Sequence, residues 1–390
     1  MRRLLFLICV LILMTGGSTR IFGEEEEMIQ LLLATDLHYL SPLLTDYGPL
    51  FQRMVESADG KLPERSVEIL EALVQETLNS RPDALLLPGD LTFNGERQSL
   101  IEVLAQLRRV RDAGIPVLIL PGNHDIAYPY ARSYFGDKAE RTDAISGREF
   151  AAACASFGPD QAFDLCPYSF SYVYEFEGVC RLLMLDANTE AMPGGIDQKT
   201  LSWAEQALKD ARSARLPVIS VTHQNVLRQS GLFYQGFVVS NEKEVKDLLM
   251  KGQVKTNLSG HSHIQHTASE GDLTDYATGC LSTSPLHYGW IRIDPTGEVC
   301  YEARELPVCQ EEALERFRVC TSRQVREALS KLEIPEIIRE KMIDFAAAVN
   351  RSYFAGEFDP TFVSAHESWK LWITYGRSTF WYFYIRSMLG

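Results

Sequence analysis

The sequence predicts an α/β domain whose strands are covered on both faces, followed by a small all-helical C-terminal domain. Three observations carry this. Short apolar runs alternate with stretches of helical period from residue 29 to about residue 303. Most of those runs are continuous rather than alternating, as in strands buried on both sides. From about residue 307 onward only helical patterns remain.

Taken in order, residues 29–34 form an apolar strand ending at Asp36-Leu37-His38, and residues 67–78 have helical period. Residues 84–87 are a short buried strand ending at Gly89-Asp90, and residues 96–112 an amphipathic helix with arginines on its wet face. Residues 117–120 are a strand ending at Gly122-Asn123-His124-Asp125. The stretch 126–161 is loop-rich with one helix at 148–156. Residues 169–175 alternate and pair with 180–185 as an antiparallel ribbon; 201–211 is helical. Residues 218–221 are a strand ending at Thr222-His223, 242–249 a helix, and 254–258 a strand ending at Gly260-His261-Ser262-His263. Residues 288–293 and 298–303, joined by Pro295-Thr296-Gly297, read as a hairpin. The C-terminal helices are expected at 311–320, 322–332 and 335–353, with one or two more from 361. Pro335 suits a helix start and Gly356 a helix stop. The aromatic residues Trp369, Trp372, Tyr375, Phe380, Trp381, Tyr382, Phe383 and Tyr384 read as the core of a small bundle. A membrane-interface helix or a substrate-facing lid are the alternatives.

The N-terminus reads as an export signal over residues 1–23. Arg2 and Arg3 precede an unbroken apolar run of 11 residues, 4–14, and small residues follow, with a cut expected near Gly17. The run is shorter than the roughly 20 residues an ordinary spanning helix needs. An uncleaved anchor, and thus a membrane tether, is the alternative. Residues 24–28 form an acidic linker, 29–306 the α/β domain and 307–390 the helical domain. The expected location is therefore extracellular or at the cell surface. Of the 8 cysteines, Cys9 would leave with the signal. Export permits disulfides, and Cys154 with Cys166, or Cys309 with Cys320, are close enough in sequence to form them. Buried free thiols are the alternative. No Cys-x-x-Cys spacing points to a thiolate zinc site.

A 46% hydrophobic and 23% charged composition is ordinary for a globular chain, and the net charge of −14 opposes binding to polyanions. A nuclease is thereby disfavoured and no nucleic-acid polymer is expected as partner. The five polar segments lie just after strand ends, the edge at which open α/β sheets form ligand sites. Together they supply Asp, Asn and His side chains. Such sets suit pairs of Fe, Mn, Zn or Co ions, and two ions about 3.5–4 Å apart can acidify a water and neutralise phosphoryl oxygens.

These residues closely resemble the calcineurin-like metallophosphoesterase superfamily, over about residues 30–304. The resemblance implies an αββα sandwich of mixed sheets flanked by helices. It also implies two divalent or trivalent metal ions. Asp36, His38 and His263 would hold the first, Asn123, His223 and His261 the second, and Asp90 would bridge them. A metal-bridging hydroxide would be the nucleophile. His124 would contact the phosphate and protonate the leaving oxygen, with Asp125 orienting His124 through a hydrogen bond. Asn94 and His287 are further candidates for substrate contact, while His266 and His366 read as structural, as His287 does in the alternative.

Within the superfamily, the run from Gly89 to Glu96 and the trailing helices look like the bacterial cyclic-nucleotide phosphodiesterase branch, which includes exported members. That implies a small phosphodiester substrate such as a 3′,5′-cyclic nucleotide, cleaved to a 5′-monophosphate. His38 in the first motif and Phe93 three residues after Asp90 depart from purple acid phosphatases, which carry Gly and Tyr there. Gln224 stands where many relatives carry a second His. A broad phosphomonoesterase or nucleotidase is the alternative activity. A non-catalytic binding protein would need missing ligands, and none is missing.

Overall fold

The computed structural model describes residues 28–57, 59–232 and 234–389. The export segment 1–23, with Cys9, and the acidic residues 24–27 lie outside the described residues.

The expected apolar runs become β1 (Ile29–Leu33), β2 (Ala84–Pro88) and β3 (Val117–Leu120), with α1 (Pro49–Glu56), α2 (Ser66–Ser80) and α3 (Arg97–Asp112) between them. A hairpin of β4 (Arg132–Phe135) and β5 (Lys138–Arg141) precedes α4 (Gly147–Ala153). The ribbon that follows comprises β6 (Asp164–Leu165), β7 (Tyr172–Phe176) and β8 (Cys180–Leu185), then the short pair β9 (Asn188–Thr189) and β10 (Met192–Pro193). After α5 (Gln198–Ala214) come β11 (Val218–Thr222), α6 (Glu242–Lys251), β12 (Thr256–Ser259), β13 (His266–Glu270) and β14 (Leu273–Ala277). The domain closes with the hairpin β15 (His287–Ile293) and β16 (Val299–Glu305).

These strands form two mixed sheets. One has the order β16-β15-β1-β2-β3, the other β13-β14-β12-β11-β8-β7-β6. Strands β1, β2 and β3 run parallel, as do β8, β11, β12 and β14. Alternate side chains go to opposite faces of a strand, and here both faces are buried. Leu31, Leu33 and Leu86 join Leu182, Met184, Ile219 and Val221 in a core between the sheets. Leu32, Leu85 and Leu87 point the other way, onto Leu70, Leu73, Leu100, Val103 and Leu107 of α2 and α3. The outer face of the second sheet is covered in the same way, with Leu183 and Leu185 against Leu201, Leu208, Val245 and Leu249 of α5 and α6. The result is the expected αββα sandwich.

After β16 the described chain is helical: α7 (Gln310–Leu329), α8 (Glu336–Phe354), α9 (Pro360–Ala365), α10 (Glu367–Tyr375) and α11 (Phe380–Met388). Trp369, Trp372, Trp381, Tyr382 and Tyr384 are buried together with Val325, Met342 and Phe345, so these five form a core as expected, whereas Tyr375 is half-buried and Phe380 and Phe383 are exposed. Among the described residues no helix is long and apolar enough to cross a membrane.

Several expectations need correction. The helices expected at 311–320 and 322–332 are one helix, α7. No Gly or Pro interrupts it, and Thr321 accepts a hydrogen bond from Asn350 instead of capping a new start. Three helices rather than one or two follow residue 359. The hairpins β4–β5 and β13–β14 and helix α1 were not expected. Strands β5 and β13 are largely polar and exposed, so they carry no apolar alternation. The two cysteine pairs are not bridged; the seven described cysteines are free thiols. Cys154 packs in the apolar core and Cys166 lies beside Thr200 Oγ1, at 3.8 Å.

Candidate dinuclear metal centre

The five polar loops meet where the parallel strands of both sheets end. Past their ends, β1 and β2 stay side by side: the Asp36 and His38 amides donate to Gly89 O (3.2 Å) and Asp90 O (2.9 Å), and Tyr39 pairs with Thr92. This ladder sets the first two ligand loops next to each other. Asp36, His38, Asp90, His261 and His263 all adopt left-handed backbone, with φ of 56°, 42°, 52°, 65° and 60°. Such conformations are costly for residues with side chains and cluster where function requires them. Here each turns the chain sharply at a strand end. Gly122 is required for close approach, since a Cβ there would lie 2.1 Å from Asp90 Oδ1.

Two ligand clusters share one carboxylate. Side-chain atoms of Asp36, His38, Asp90 and His263 lie within 4.8 Å of one another, as do those of Asp90, His223 and His261. In the first, His38 Nε2 and His263 Nε2 face each other at 3.2 Å, and Asp36 Oδ1 is 3.3 Å from His263 Nε2. In the second, His223 Nε2 is 3.1 Å from Asn123 Oδ1. Asp90 turns Oδ2 toward His38 (3.6 Å) and Oδ1 toward His223 (3.4 Å). That is the disposition of a bridging carboxylate.

The surroundings orient these donors. His223 Nδ1 donates to Pro88 O (2.8 Å), which leaves its Nε2 lone pair facing the cluster. His261 Nε2 donates to Gly236 O (2.7 Å), leaving Nδ1 for the cluster. Asp36 Oδ2 accepts from the His261 amide (2.9 Å) and Thr35 Oγ1 (3.0 Å). Its Oδ1 is buried and has no hydrogen bond among the described residues. A buried carboxylate oxygen left in this way is costly unless a cation completes it. With facing imidazole nitrogens beside it, the donor set fits a pair of borderline metal ions.

The electrostatics agree. Burial opposes ionisation of Asp90, yet His223, His124 and His38 outweigh it and hold its pKa well below the usual carboxylate value. Asp36 is also buried, and His263 lowers its pKa. Burial, then the nearby Lys61 charge, pushes His38 far down, while burial and His223 bring His261 down to about 4. Both are thus neutral imidazoles ready to donate. Burial disfavours the charged form of His223, but Asp90 and Asp36 raise its pKa to about 9. A metal ion would replace that proton as the counter-charge of Asp90.

His124 lies beside the clusters rather than in either. Its ring is edge-on to His38, with centroids 4.9 Å apart, and stacked on Tyr128 at 4.4 Å. Its Nδ1 contacts Phe93 O (2.9 Å) and Asn94 Oδ1 (3.2 Å). This corrects the role expected of Asp125. The Asp125 carboxylate does not meet the ring; it accepts from the amides of Leu91 (3.2 Å), Thr92 (2.9 Å) and Gly122 (2.9 Å) and from Thr92 Oγ1 (2.8 Å). It is wholly buried, and burial followed by Asp90 raises its pKa to about 6. It therefore ties the second loop to the third.

Asn94, a candidate for substrate contact, holds the His124 ring, and its own amide is braced by buried Glu96 (2.9 Å). His287, 5% exposed, packs against Gly279 and is brought into neither cluster. His266 contacts Gln229 (2.9 Å), and His366 caps α10. Gln224 forms a buried reciprocal amide pair with Asn188, which also donates to Pro121 O (3.0 Å) and so steadies the loop bearing Asn123. Three neighbours had no sequence signal: Tyr128 on His124, Lys61 in the cavity beside His261 and His263, and Cys280, whose sulfur lies 3.1 Å from Asp36 O.

A family model described as calcineurin-like phosphoesterase matches residues 29–265. The DNA double-strand break repair protein Mre11 of Haloferax volcanii is 41% identical over 68 residues, which is 16% of this chain and 15% of that relative's length. A dimetal phosphatase from Danio rerio superposes with a TM-score of 0.49 at 14% identity, covering 71% of this chain and 99% of that one. A purple acid phosphatase from yellow lupin (Lupinus luteus) seeds gives a TM-score of 0.47 at 13% identity, over 73% of this chain and 52% of that one. The family match holds all five ligand-bearing loops and stops short of the C-terminal helices. The chain therefore belongs to the calcineurin-like phosphoesterase family and is a metal-dependent phosphoric ester hydrolase.

Proposed function

We propose that the chain is a two-metal phosphodiesterase for small substrates, 3′,5′-cyclic nucleotides foremost. The observation that carries the reading is Asp90, whose two oxygens face His38 and His223 on opposite sides. Asp36, His38 and His263 would hold one ion, Asn123, His223 and His261 the other, and Asp90 both. When bound, the pair supplies positive charge that acidifies a water and neutralises phosphoryl oxygens.

The chain's own groups do the rest. Two acceptors at Nδ1, Phe93 O and Asn94 Oδ1, keep that nitrogen of His124 protonated. Proton exchange with substrate is thus left to Nε2: the doubly protonated ring gives that proton to the departing oxygen and returns to the Nδ1–H form. Asn94 positions His124, and Asp125 holds the loops of Asp90 and His124 in register. Lys61 brings a further positive charge to the phosphoryl group.

The preference for diesters rests on the likeness of the Gly89–Glu96 run to the cyclic-nucleotide branch, and the net charge of −14 disfavours a nucleic-acid polymer. Export through residues 1–23 belongs to the same proposal. The N-terminal sequence of protein recovered from medium and from membranes tests it: the full-length N-terminus in both fractions would overturn cleavage near Gly17.

The activity is tested with Mn²⁺-reconstituted protein on cyclic AMP, bis(p-nitrophenyl) phosphate and p-nitrophenyl phosphate. Strong cleavage of both diesters with little monoester cleavage is expected. Monoester dominance would replace the reading with a phosphatase or nucleotidase.

A further inference from the structure

The C-terminal helices do more than form a bundle. The end of α8 is bonded to the metal-ligand loop, with the Gln265 amide donating to Phe354 O (2.9 Å). Arg65 in the segment before α2 pairs with Glu312 of α7 (2.8 Å), so α7 is held beside the loop that carries Lys61. Between helices and loop lies a cavity of 310 Å³, lined by His261 and His263 on one side and by Phe317, Gln324 and Phe354 on the other, with Phe237. A second cavity of 230 Å³ shares Phe237, Gln324 and Phe354 and runs on to Trp381 and Tyr384. The first alone reaches the lower end of the roughly 300–1,000 Å³ typical of small-molecule sites.

Three of the lining side chains are phenylalanines, Phe237, Phe317 and Phe354, and the rest are mostly polar, Asp59, Lys61 and Ser262 among them. Phe317 and Phe354 are edge-on at 5.0 Å, and Phe237 leans on His261 at 5.7 Å. Asn350 is used internally, accepting from Tyr384 Oη (2.7 Å) and donating to Thr321 (3.1 Å). The exposed Gln324 carboxamide meets only the Cys320 sulfur among the described residues, at 3.8 Å. A wall of flat rings beside a carboxamide with both a donor and an acceptor to spare suits a flat heteroaromatic ring with a polar edge. An acyl chain would use the rings poorly and leave the amide unmatched.

We propose that this cavity is a nucleobase site: the phosphodiester sits at the His261–His263 mouth, while the base stacks on Phe354 and Phe237 and meets Gln324 with its edge. The assignment rests on the phosphodiesterase reading above and makes the helical region the determinant of substrate preference. Base–aromatic stacking is sequence-tolerant, so Phe354 governs the presence of a base and Gln324 its identity.

The test uses the full chain and two readouts. The first is the ratio of kcat/KM for cyclic AMP to that for the abasic ribose 3′,5′-cyclic phosphate, which keeps the reacting centre and removes the base. The second is equilibrium dialysis of adenosine, with ribose as control, on chelator-treated protein. Wild-type protein is expected to favour cyclic AMP strongly and to bind adenosine but not ribose. Phe354→Ala is expected to cut the ratio and the adenosine affinity by about 10-fold or more, the scale of one lost stacking contact. Gln324→Ala, at an exposed position, is expected to shift the preference between cyclic AMP and cyclic GMP severalfold. If Phe354→Ala does not fold, Gln324→Ala and the wild-type adenosine measurement decide. Cleavage of cyclic AMP no better than the abasic ester, with bis(p-nitrophenyl) phosphate still turned over, overturns the base site and leaves the phosphodiesterase reading intact. Adenosine binding without cleavage of any diester overturns that reading and leaves the base site standing.

Discussion

Replacing Asp125 by alanine removes a buried carboxylate that serves four donors, three of them backbone amides. With the side chain gone, the amides of Leu91, Thr92 and Gly122 are left buried without their acceptor. Each such group costs about 1–3 kcal/mol, so a loss on the order of 3–6 kcal/mol is expected after water enters part of the space. That is comparable to a typical total stability of about 5–15 kcal/mol. Asparagine is a milder change. It keeps one oxygen, and its NH₂ can be turned toward Thr92, where the hydroxyl can accept from it. One amide is then unpaired, for about 1–3 kcal/mol. The assay is denaturant unfolding of wild type, Asp125→Asn and Asp125→Ala, with metal content measured on the same samples. The order wild type, Asn, Ala in stability is expected, with metal content falling alongside because Asp90 and Asn123 ride on the two loops. An alanine variant within about 1 kcal/mol of wild type, yet slow in turnover, would refute the reasoning. It would return Asp125 to the ring-orienting role expected from sequence.

Asp90→Ala should lose both metals and fall to background turnover, as read by elemental analysis and diester hydrolysis. His124→Ala should keep its metals and lose about 10²–10⁴-fold in rate, the range for proton-transfer groups; loss of metal instead would make it a ligand. Lys61→Ala should lower kcat/KM by about 10–100-fold with metal retained, from one charged contact worth about 1.5–3 kcal/mol. Trp372 is wholly buried, and its indole donates to Met342 O (3.1 Å), so Trp372→Ala should cost about 3–5 kcal/mol in a thermal or denaturant melt. The cyclic AMP to abasic ratio should not move, because Trp372 sits in the bundle interior away from the cavity walls.

Which residue types reach the site, and from which strands, was already readable along the chain. Apolar runs that strands bury on both faces are a local pattern, and the ligand loops follow them directly, so strand order along the chain already predicts a shared edge. The two-sheet sandwich was legible through the family likeness of those same loops. Elements without an apolar pattern were not legible. Strands β5 and β13 are largely polar, and the continuity of α7 depends on Thr321 meeting Asn350 from another helix. What holds His124 was settled by long-range packing. Phe93 and Asn94 lie some thirty residues earlier in the chain, and the Tyr39–Thr92 pairing brings their loop to the ring, while neighbouring Asp125 turns away to the backbone. It likewise decided that the helical region forms a wall beside His261 and His263. A helix pattern reports which face is apolar, not which distant surface it will meet, because that contact is set by long-range packing that no local period encodes.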